Sequence, residues 1–341
     1  MKRTLLIAFL GVAASPCLFP QGAPPAEQQM PVILNVLPVM ADLDRTEEFY
    51  HRLLGLESTI GDPRARLAWY PNAPFLIDMY NVKGNTRNFF LRAPNSELTF
   101  ELESFDGTNA KRLDTHIQDP GAMQFIFGTR DVNQLTAWIT KGGAKVYSTG
   151  GAPVAYADAN GGARAIEFDD FNGFFVRLVQ RDSVAKPTGA PTPFVDGAML
   201  GATVEDTEKT AKFWKDVLGL DTKIGAFSSD PKLLESFGLK NAEVRESEVV
   251  FAGPKAPPLH FFEFKGNGQE MTRKPLRPNQ ADPNSVLIRI AVKDLEGIMA
   301  KVKAAGGQIM NGSGGITVNG RTHWLVVKDP NGIHMQLLER Q

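Results

Sequence analysis

The sequence has few cysteines, few histidines and almost no net charge. Its 341 residues include one cysteine, Cys17, five histidines, and 37 Lys and Arg residues against 38 Asp and Glu residues. A single cysteine excludes an internal disulfide framework and every Cys-x-x-Cys zinc or redox motif. The formal charge is −1 and there is no long basic run, so the protein lacks the positive electrostatic potential that attracts phosphate backbones. We therefore predict no nucleic acid partner.

The only marked hydrophobic run lies at the amino terminus. Met1-Lys2-Arg3 is basic, and Leu5 to Ala14 is apolar but too short for an ordinary transmembrane helix. A proline-rich stretch follows at once. The pattern predicts a signal peptide over residues 1–14, a linker over 15–30, and a periplasmic or secreted protein. It leaves open whether Cys17 carries a lipid, and no later segment resembles a transmembrane helix.

Two stretches of the sequence repeat each other. Asp42-Leu-Asp-Arg-Thr-Glu-Glu-Phe-Tyr is followed by Leu-Gly-Leu, as is Asp206-Thr-Glu-Lys-Thr-Ala-Lys-Phe-Trp. Because internal repeats mark duplicated units, we predict two domains, residues 31–181 and 196–341, joined by a proline-containing linker over 182–195.

Each half divides again into two units of strand, helix and three strands. Apolar residues follow a helical period after Asp42 and alternate along the strands, while Asn172-Gly173 and Asn331-Gly332 are typical of hairpin turns before a last strand. The fold class predicted is therefore α+β, with four βαβββ modules.

These motifs resemble the vicinal oxygen chelate superfamily, which includes glyoxalase I, bleomycin-resistance proteins and extradiol dioxygenases. The resemblance is carried by Phe49 to Leu56, Phe213 to Leu220, and Asp329-Pro-Asn-Gly332. It implies modules paired into two glyoxalase/bleomycin-resistance/dioxygenase-like domains. Each domain is expected to form a cup-shaped sheet with helices on its convex side and a small molecule in the cup.

The resemblance also implies positions for metal ligands, on the first and last strand of each module. Here those positions hold four first-strand residues, Asn35, Gln124, Met199 and Leu287, and four last-strand residues, Glu101, Arg177, His260 and Gln336. A stable site for a first-row metal needs about three imidazole or carboxylate ligands. We therefore predict that the usual metal centre is lost and that no metal cofactor binds tightly.

The first half nevertheless places four polar residues in one expected cup, namely Asn35, Glu101, Gln124 and Arg177. One interpretation is a structural ion pair between Glu101 and Arg177, flanked by the amides. The other is a ligand site, in which Arg177 binds an anionic group, the amides orient the ligand and Glu101 acts as a general base.

The second half is expected to place His260, His334, Gln336 and Arg289 in the other cup. Arg289 is a candidate ligand-binding residue. The two histidines with Gln336 form an alternative, non-standard site for zinc, iron or manganese, which would indicate a metal-dependent lyase, isomerase or extradiol-type dioxygenase. Glu263 is predicted to point to the opposite face of its strand.

Two insertions bear on access to the cups. One contains Trp69, Tyr70, Phe75 and Tyr80 and either roofs a pocket or seals the sheet, and Ser228–Leu239 is the matching insertion in the second half. The leading hypothesis is an exported protein that binds a small organic molecule without a metal. A third hypothesis is that both cups are filled and the outer surface binds a protein. A monomer is adequate and a dimer is compatible, and the substrate is not specified by the sequence.

Overall fold

The computed structural model describes residues 31–106, 112–158, 160–184, 195–251, 257–266, 273–276 and 278–341. The predicted signal peptide, the linker over 15–30, Cys17 and most of the linker over 182–195 lie outside this part. Within it, no helix combines the length and the hydrophobicity that crossing a bilayer requires.

Module 2 has the predicted order of one strand, a helix and three strands, whereas modules 1, 3 and 4 each add a short strand and modules 1 and 3 also add a helix. Module 1 contains β1 (Val32–Pro38), α1 (Leu43–Thr46, continued by a π-helix Glu47–Leu53), β2 (Glu57–Ser58), β3 (Tyr70–Pro71), α2 (Pro74–Tyr80), β4 (Asn85–Arg92) and β5 (Thr99–Phe105). Module 2 contains β6 (Met123–Thr129), α3 (Val132–Lys141), β7 (Val154–Asp158), β8 (Gly161–Asp169) and β9 (Phe175–Arg181). Module 3 contains β10 (Val195–Thr203), α4 (Thr207–Leu218), β11 (Asp221–Lys223), β12 (Phe227–Ser228), α5 (Pro231–Ser236), β13 (Ala242–Val250) and β14 (Leu259–Gly266). Module 4 contains β15 (Val286–Ala291), α6 (Leu295–Ala304), β16 (Gln308–Ile309), β17 (Thr317–Asn319), β18 (Thr322–Lys328) and β19 (His334–Arg340).

The long helix of each module begins at an aspartate. Each of these carboxylates accepts a hydrogen bond from the backbone N–H three residues further on, which satisfies a donor that the helix itself leaves unpaired. The four N-caps are Asp42, Asp131, Asp206 and Asp294. The repeated aspartate in the sequence is thus a structural signal that opens a helix.

The strands form two sheets, and each sheet joins modules from different halves. The 1–4 sheet has the strand order β16-β18-β19-β15-β1-β5-β4-β2, and the 2–3 sheet has the order β11-β13-β14-β10-β6-β9-β8-β7. The first strands pair antiparallel at each centre, β1 with β15 and β6 with β10. The expectation that each half forms its own cup is therefore wrong, while the boundaries at 181 and 196 stay a prediction. The repeat leaves several first strands as possible partners, and only the tertiary arrangement selects one.

The two modules of each half are linked through their helices instead. Tyr50 on α1 donates a hydrogen bond to Asp170 of module 2 (2.8 Å), and Trp214 on α4 donates to Asp329 of module 4 (3.2 Å). These are equivalent residues of the two halves, so the repeat seen in the sequence is also a repeat of contacts.

The helix-facing sides of both sheets share one hydrophobic core. It contains the predicted inward-facing residues of β15 and β19, such as Ile288, Met335 and Leu337, together with aromatic side chains of β5 and β6. The opposite, concave faces bear the alternate residues, including Leu287 and Leu338. The period of two along the strands therefore assigned these faces correctly.

Candidate ligand sites in the two cups

The concave faces of the two sheets, here the 1–4 cup and the 2–3 cup, divide the predicted site residues between them. The 1–4 cup contains Asn35, Glu101, Arg289, His334 and Gln336. The 2–3 cup contains Gln124, Arg177 and His260. The predicted quartet of the first half is therefore not one site, because its two modules belong to different sheets.

A buried ion pair occupies the centre of the 1–4 cup. Arg289 Nη1 lies 2.8 Å from Glu101 Oε2, and Arg289 Nε–H also donates to Gln336 Oε1. Asn35 donates to Glu101 Oε2 at 2.9 Å and Asn88 donates to Glu101 Oε1 at 3.0 Å. The expected pair of Glu101 with Arg177 is thus replaced by a pair with Arg289, since the antiparallel register places Asn35 opposite Arg289.

Helix α2 covers this network. Gln336 Nε2 lies 3.2 Å from the sulfur of Met79 and 3.4 Å from the hydroxyl of Tyr80, and the Tyr80 ring packs 5.1 Å from that of Phe105. Of the aromatic residues in the insertion, Tyr80 therefore lies in the cup, whereas Trp69 is 43% exposed. In this conformation the insertion fills the cup.

Glu103 is a second buried carboxyl group in the 1–4 cup that the sequence interpretation overlooked. Tyr80 donates a hydrogen bond to Glu103 Oε1 (3.3 Å). Burial, and then the negative charge of Glu101, raise the pKa of Glu103 well above its ordinary value, which favours its protonated form. The alternation along β5 places residues 101 and 103 on one face, and this signal was available in the sequence.

Four buried polar atoms of the 1–4 cup have no hydrogen-bond partner among the described residues. They are Asn35 Oδ1, Glu103 Oε2, Trp324 Nε1 and His334 Nε2. Burial lowers the pKa of His334 to about 3, so its imidazole is neutral, and its Nδ1 lies 3.2 Å from Ser285 Oγ. Because buried polar groups are normally paired, unpartnered atoms of this kind mark a place where polar groups of a bound molecule are accommodated.

The 2–3 cup repeats the plan with other residues. Arg177 pairs with Glu167 (3.2 Å), which also accepts from Gln124 at 2.7 Å. Helix α5 covers the pair, with Ser236 Oγ 2.7 Å from Arg177 Nη2 and the Phe237 ring 3.8 Å from the guanidinium. The insertion predicted at Ser228–Leu239 is thus a short helix over a cup. Burial raises the pKa of Glu167 to about 7 despite the neighbouring guanidinium.

The alternative metal set is not assembled. His260 lies in the 2–3 cup, where it contacts Glu246 (2.6 Å), whereas His334 and Gln336 lie in the 1–4 cup. Glu263 points away from the 2–3 cup as predicted and accepts the backbone N–H of Thr207 at 2.9 Å. A site built from His260, His334 and Gln336 is therefore wrong, because β14 and β19 belong to different sheets.

The residues at the family's metal positions do not fit a divalent metal either. In the 1–4 cup these positions hold Asn35, Glu101, Leu287 and Gln336. A metal at Glu101 would meet the permanent positive charge of Arg289 at close range. In the 2–3 cup Arg177 itself occupies one of the positions. Among the described residues, no group of three His, Cys, Asp or Glu side chains is arranged to hold a metal.

Comparison with known proteins agrees with the fold. Residues 198–337 match the family model of the Glyoxalase/Bleomycin resistance protein/Dioxygenase superfamily. Glyoxalase I from Zea mays is similar in structure with a TM-score of 0.56 and 20% identity, over 91% of this chain and 92% of that one. A putative dioxygenase from Bacillus subtilis is similar with a TM-score of 0.51 and 13% identity, over 92% of this chain and 86% of that one. A search of curated proteins found no sequence match.

The predicted resemblance to the vicinal oxygen chelate superfamily is thus confirmed. Residues 198–337 belong to this superfamily, and all four modules have its fold. At these levels of identity the structural likeness establishes the fold and leaves the reaction open.

Proposed function

We propose that this protein is exported and binds a small, uncharged organic molecule in the 1–4 cup, without the metal centre of the family's enzymes. The observation that carries the proposal is the set of four unpartnered polar atoms in one otherwise well-packed cup. A purely structural core gains nothing from such atoms, since each costs about 1–3 kcal/mol of desolvation.

The charges of the cup favour an uncharged ligand. Glu101 and Arg289 neutralise each other, burial favours the protonated form of Glu103, and His334 is neutral. A ligand with a net charge would add an uncompensated charge to a buried site, which is unfavourable. The unpartnered atoms include an acceptor, Asn35 Oδ1, and a donor, Trp324 Nε1, so a molecule bearing both hydroxyl and carbonyl groups fits them.

Binding requires α2 to move, because Met79 and Tyr80 fill the cup. A latch holds this helix to module 4: the carboxylate of Asp78 accepts hydrogen bonds from the Ser313 backbone N–H (2.5 Å), the Ser313 hydroxyl (3.1 Å) and the Thr317 hydroxyl. We regard α2 as a lid whose opening exposes the ion pair and the unpartnered atoms.

If the bound molecule also reacts, Glu103 is the group suited to transfer a proton. Glu101, the candidate base from the sequence, has both oxygens engaged by amides and a guanidinium. One oxygen of Glu103 has no partner among the described residues, and burial raises the pKa of this carboxyl, which favours the protonated form that a proton donor needs. Glyoxalase I and the dioxygenases are enzymes. The alternative hypothesis of a metal-dependent enzyme requires a metal site, and the side chains of this cup do not supply the ligands for one.

The test is thermal shift and calorimetry with two matched sets of probes on the mature protein. Resorcinol and hydroxyacetone represent uncharged donors and acceptors, and benzoate represents an anion of similar size. We expect the uncharged probes to bind more tightly than benzoate, and Asn35→Ala to weaken them. The control variant, Gln124→Ala, alters the equivalent strand of the 2–3 cup and is expected to leave binding unchanged.

The hypothesis fails if neither uncharged probe binds the mature protein, even when the latch is removed by Asp78→Ala. It also fails if Asn35→Ala and Gln124→Ala have the same effect, because the bound molecule would then lie elsewhere. Such results would favour the view that both cups are permanently filled.

A further inference from the structure

We infer that the guanidinium of Arg289 is the resident cation of the 1–4 cup and that it prevents a divalent metal from binding at Glu101. The inference uses the proposed function only to define the site. Its test involves no organic ligand, so the two proposals fail separately.

Arg289 is surrounded by side-chain oxygens of the kind that bind cations. Its guanidinium is buried and donates hydrogen bonds to two oxygens, in the carboxylate of Glu101 and the side-chain carbonyl of Gln336, and it lies 5.3 Å from the centre of the Trp324 ring. Asn35 adds a further carbonyl oxygen, which has no partner among the described residues. Carboxylate and amide oxygens are the ligands that hard cations such as Mg²⁺, Ca²⁺ and Mn²⁺ prefer.

The carboxylate explains why a cation is needed at this position. Glu101 is 2% exposed, and a buried carboxylate without a counter-ion is strongly unfavourable. Arg289 Nη1 lies 2.8 Å from Glu101 Oε2, so the guanidinium is the counter-ion of this carboxylate. If the guanidinium is removed, Glu101, Gln336 and Asn35 remain as an all-oxygen site with one negative charge.

The 2–3 cup shows the same arrangement independently. Arg177 is buried against Glu167, and the neighbouring side-chain oxygen of Gln124 has no partner among the described residues. Two cups with different residues thus both place a guanidinium beside a buried carboxylate and an amide oxygen. This repetition favours a common role for the two arginines as fixed cations.

The experiment is a titration of the full mature protein with Mn²⁺, followed by electron paramagnetic resonance and thermal unfolding. The variants are Arg289→Ala, the longer neutral Arg289→Gln, and the double variant Glu101→Gln/Arg289→Ala. Arg245→Ala is the control, because it removes an arginine from a pair with Glu263 on the helix-facing side of the 2–3 sheet. The mature protein and the control are expected to bind Mn²⁺ weakly.

We expect Arg289→Ala to bind Mn²⁺ at least about tenfold more tightly than the mature protein and to unfold at a higher temperature when Mn²⁺ is present. Glu101→Gln/Arg289→Ala is expected to lose this gain. Tight binding by the unsubstituted protein, or no gain in folded Arg289→Ala and Arg289→Gln, overturns the inference. It is overturned equally if both single variants stay unfolded with millimolar Mn²⁺ present, because the metal would then be unable to replace the guanidinium.

Discussion

The latch of α2 gives a sharp test of how the 1–4 cup opens. Asp78→Ala removes the carboxylate that accepts three hydrogen bonds from Ser313 and Thr317, while the bond from the Gly312 N–H to the backbone carbonyl of residue 78 remains. The substitution therefore weakens the attachment of the lid to module 4 without touching the ion pair of the cup.

The expected magnitude follows from the number and exposure of these bonds. A buried hydrogen bond to a charged group contributes about 1.5–3 kcal/mol, and the exposed ones at Ser313 contribute less, so we estimate a loss of about 2 kcal/mol for the latch. This corresponds to a roughly 30-fold rise in the population of the open lid.

Hydrogen exchange measured by mass spectrometry reports this change. We expect the backbone amides of α2, Pro74–Tyr80, to exchange about 30-fold faster in Asp78→Ala, whereas β1 and β15 keep their rates. The control is Asp216→Ala, which removes an exposed carboxylate paired with Lys212 on α4. The reasoning is refuted if α2 exchanges at the same rate in both variants, or if Asp78→Ala accelerates exchange uniformly through the sheet.

Two further predictions concern pH and export. Glu167 has a folded-state pKa of about 7 against an ordinary value of 4.5, so its contribution to stability is present below about pH 4.5 and is lost as the pH rises through 7. The loss amounts to about 3 kcal/mol in the free energy of unfolding. When this free energy is measured by urea unfolding between pH 5 and pH 8, we expect it to fall less steeply with pH in Glu167→Gln than in the unsubstituted protein. Equal dependence on pH in the two proteins would exclude this carboxyl as the cause. For export, the mature chain is expected to begin between Ala14 and Met30 and to lie outside the cytoplasm. Intact-mass analysis of fractionated cells checks this, and a cytosolic pool retaining Met1 would contradict it.

The candidate site could be predicted from the sequence only in part. The alternation along the strands placed Glu101, Arg289 and Gln336 on concave faces, and the contacts confirm this. Glu103 and Glu167 were overlooked, although each carboxyl interrupts an apolar strand and β5 repeats glutamate at a spacing of two. Their raised pKa values depend on burial by α2 and α5, which no single strand reveals.

The sequence by itself determined what depends on neighbours along the chain: the aspartate that opens each long helix, the hairpins before the last strands, the repeat of four modules, and which face of a strand meets the helices. Each follows from a local bond or a short period. Only the tertiary structure decided that module 1 pairs with module 4 and module 2 with module 3. The first strands all offer equivalent hydrogen-bonding edges, so their partners depend on packing between distant segments. That choice placed Glu101 beside Arg289 and separated His260 from His334, whereas Glu167 and Arg177 are cross-strand partners within module 2.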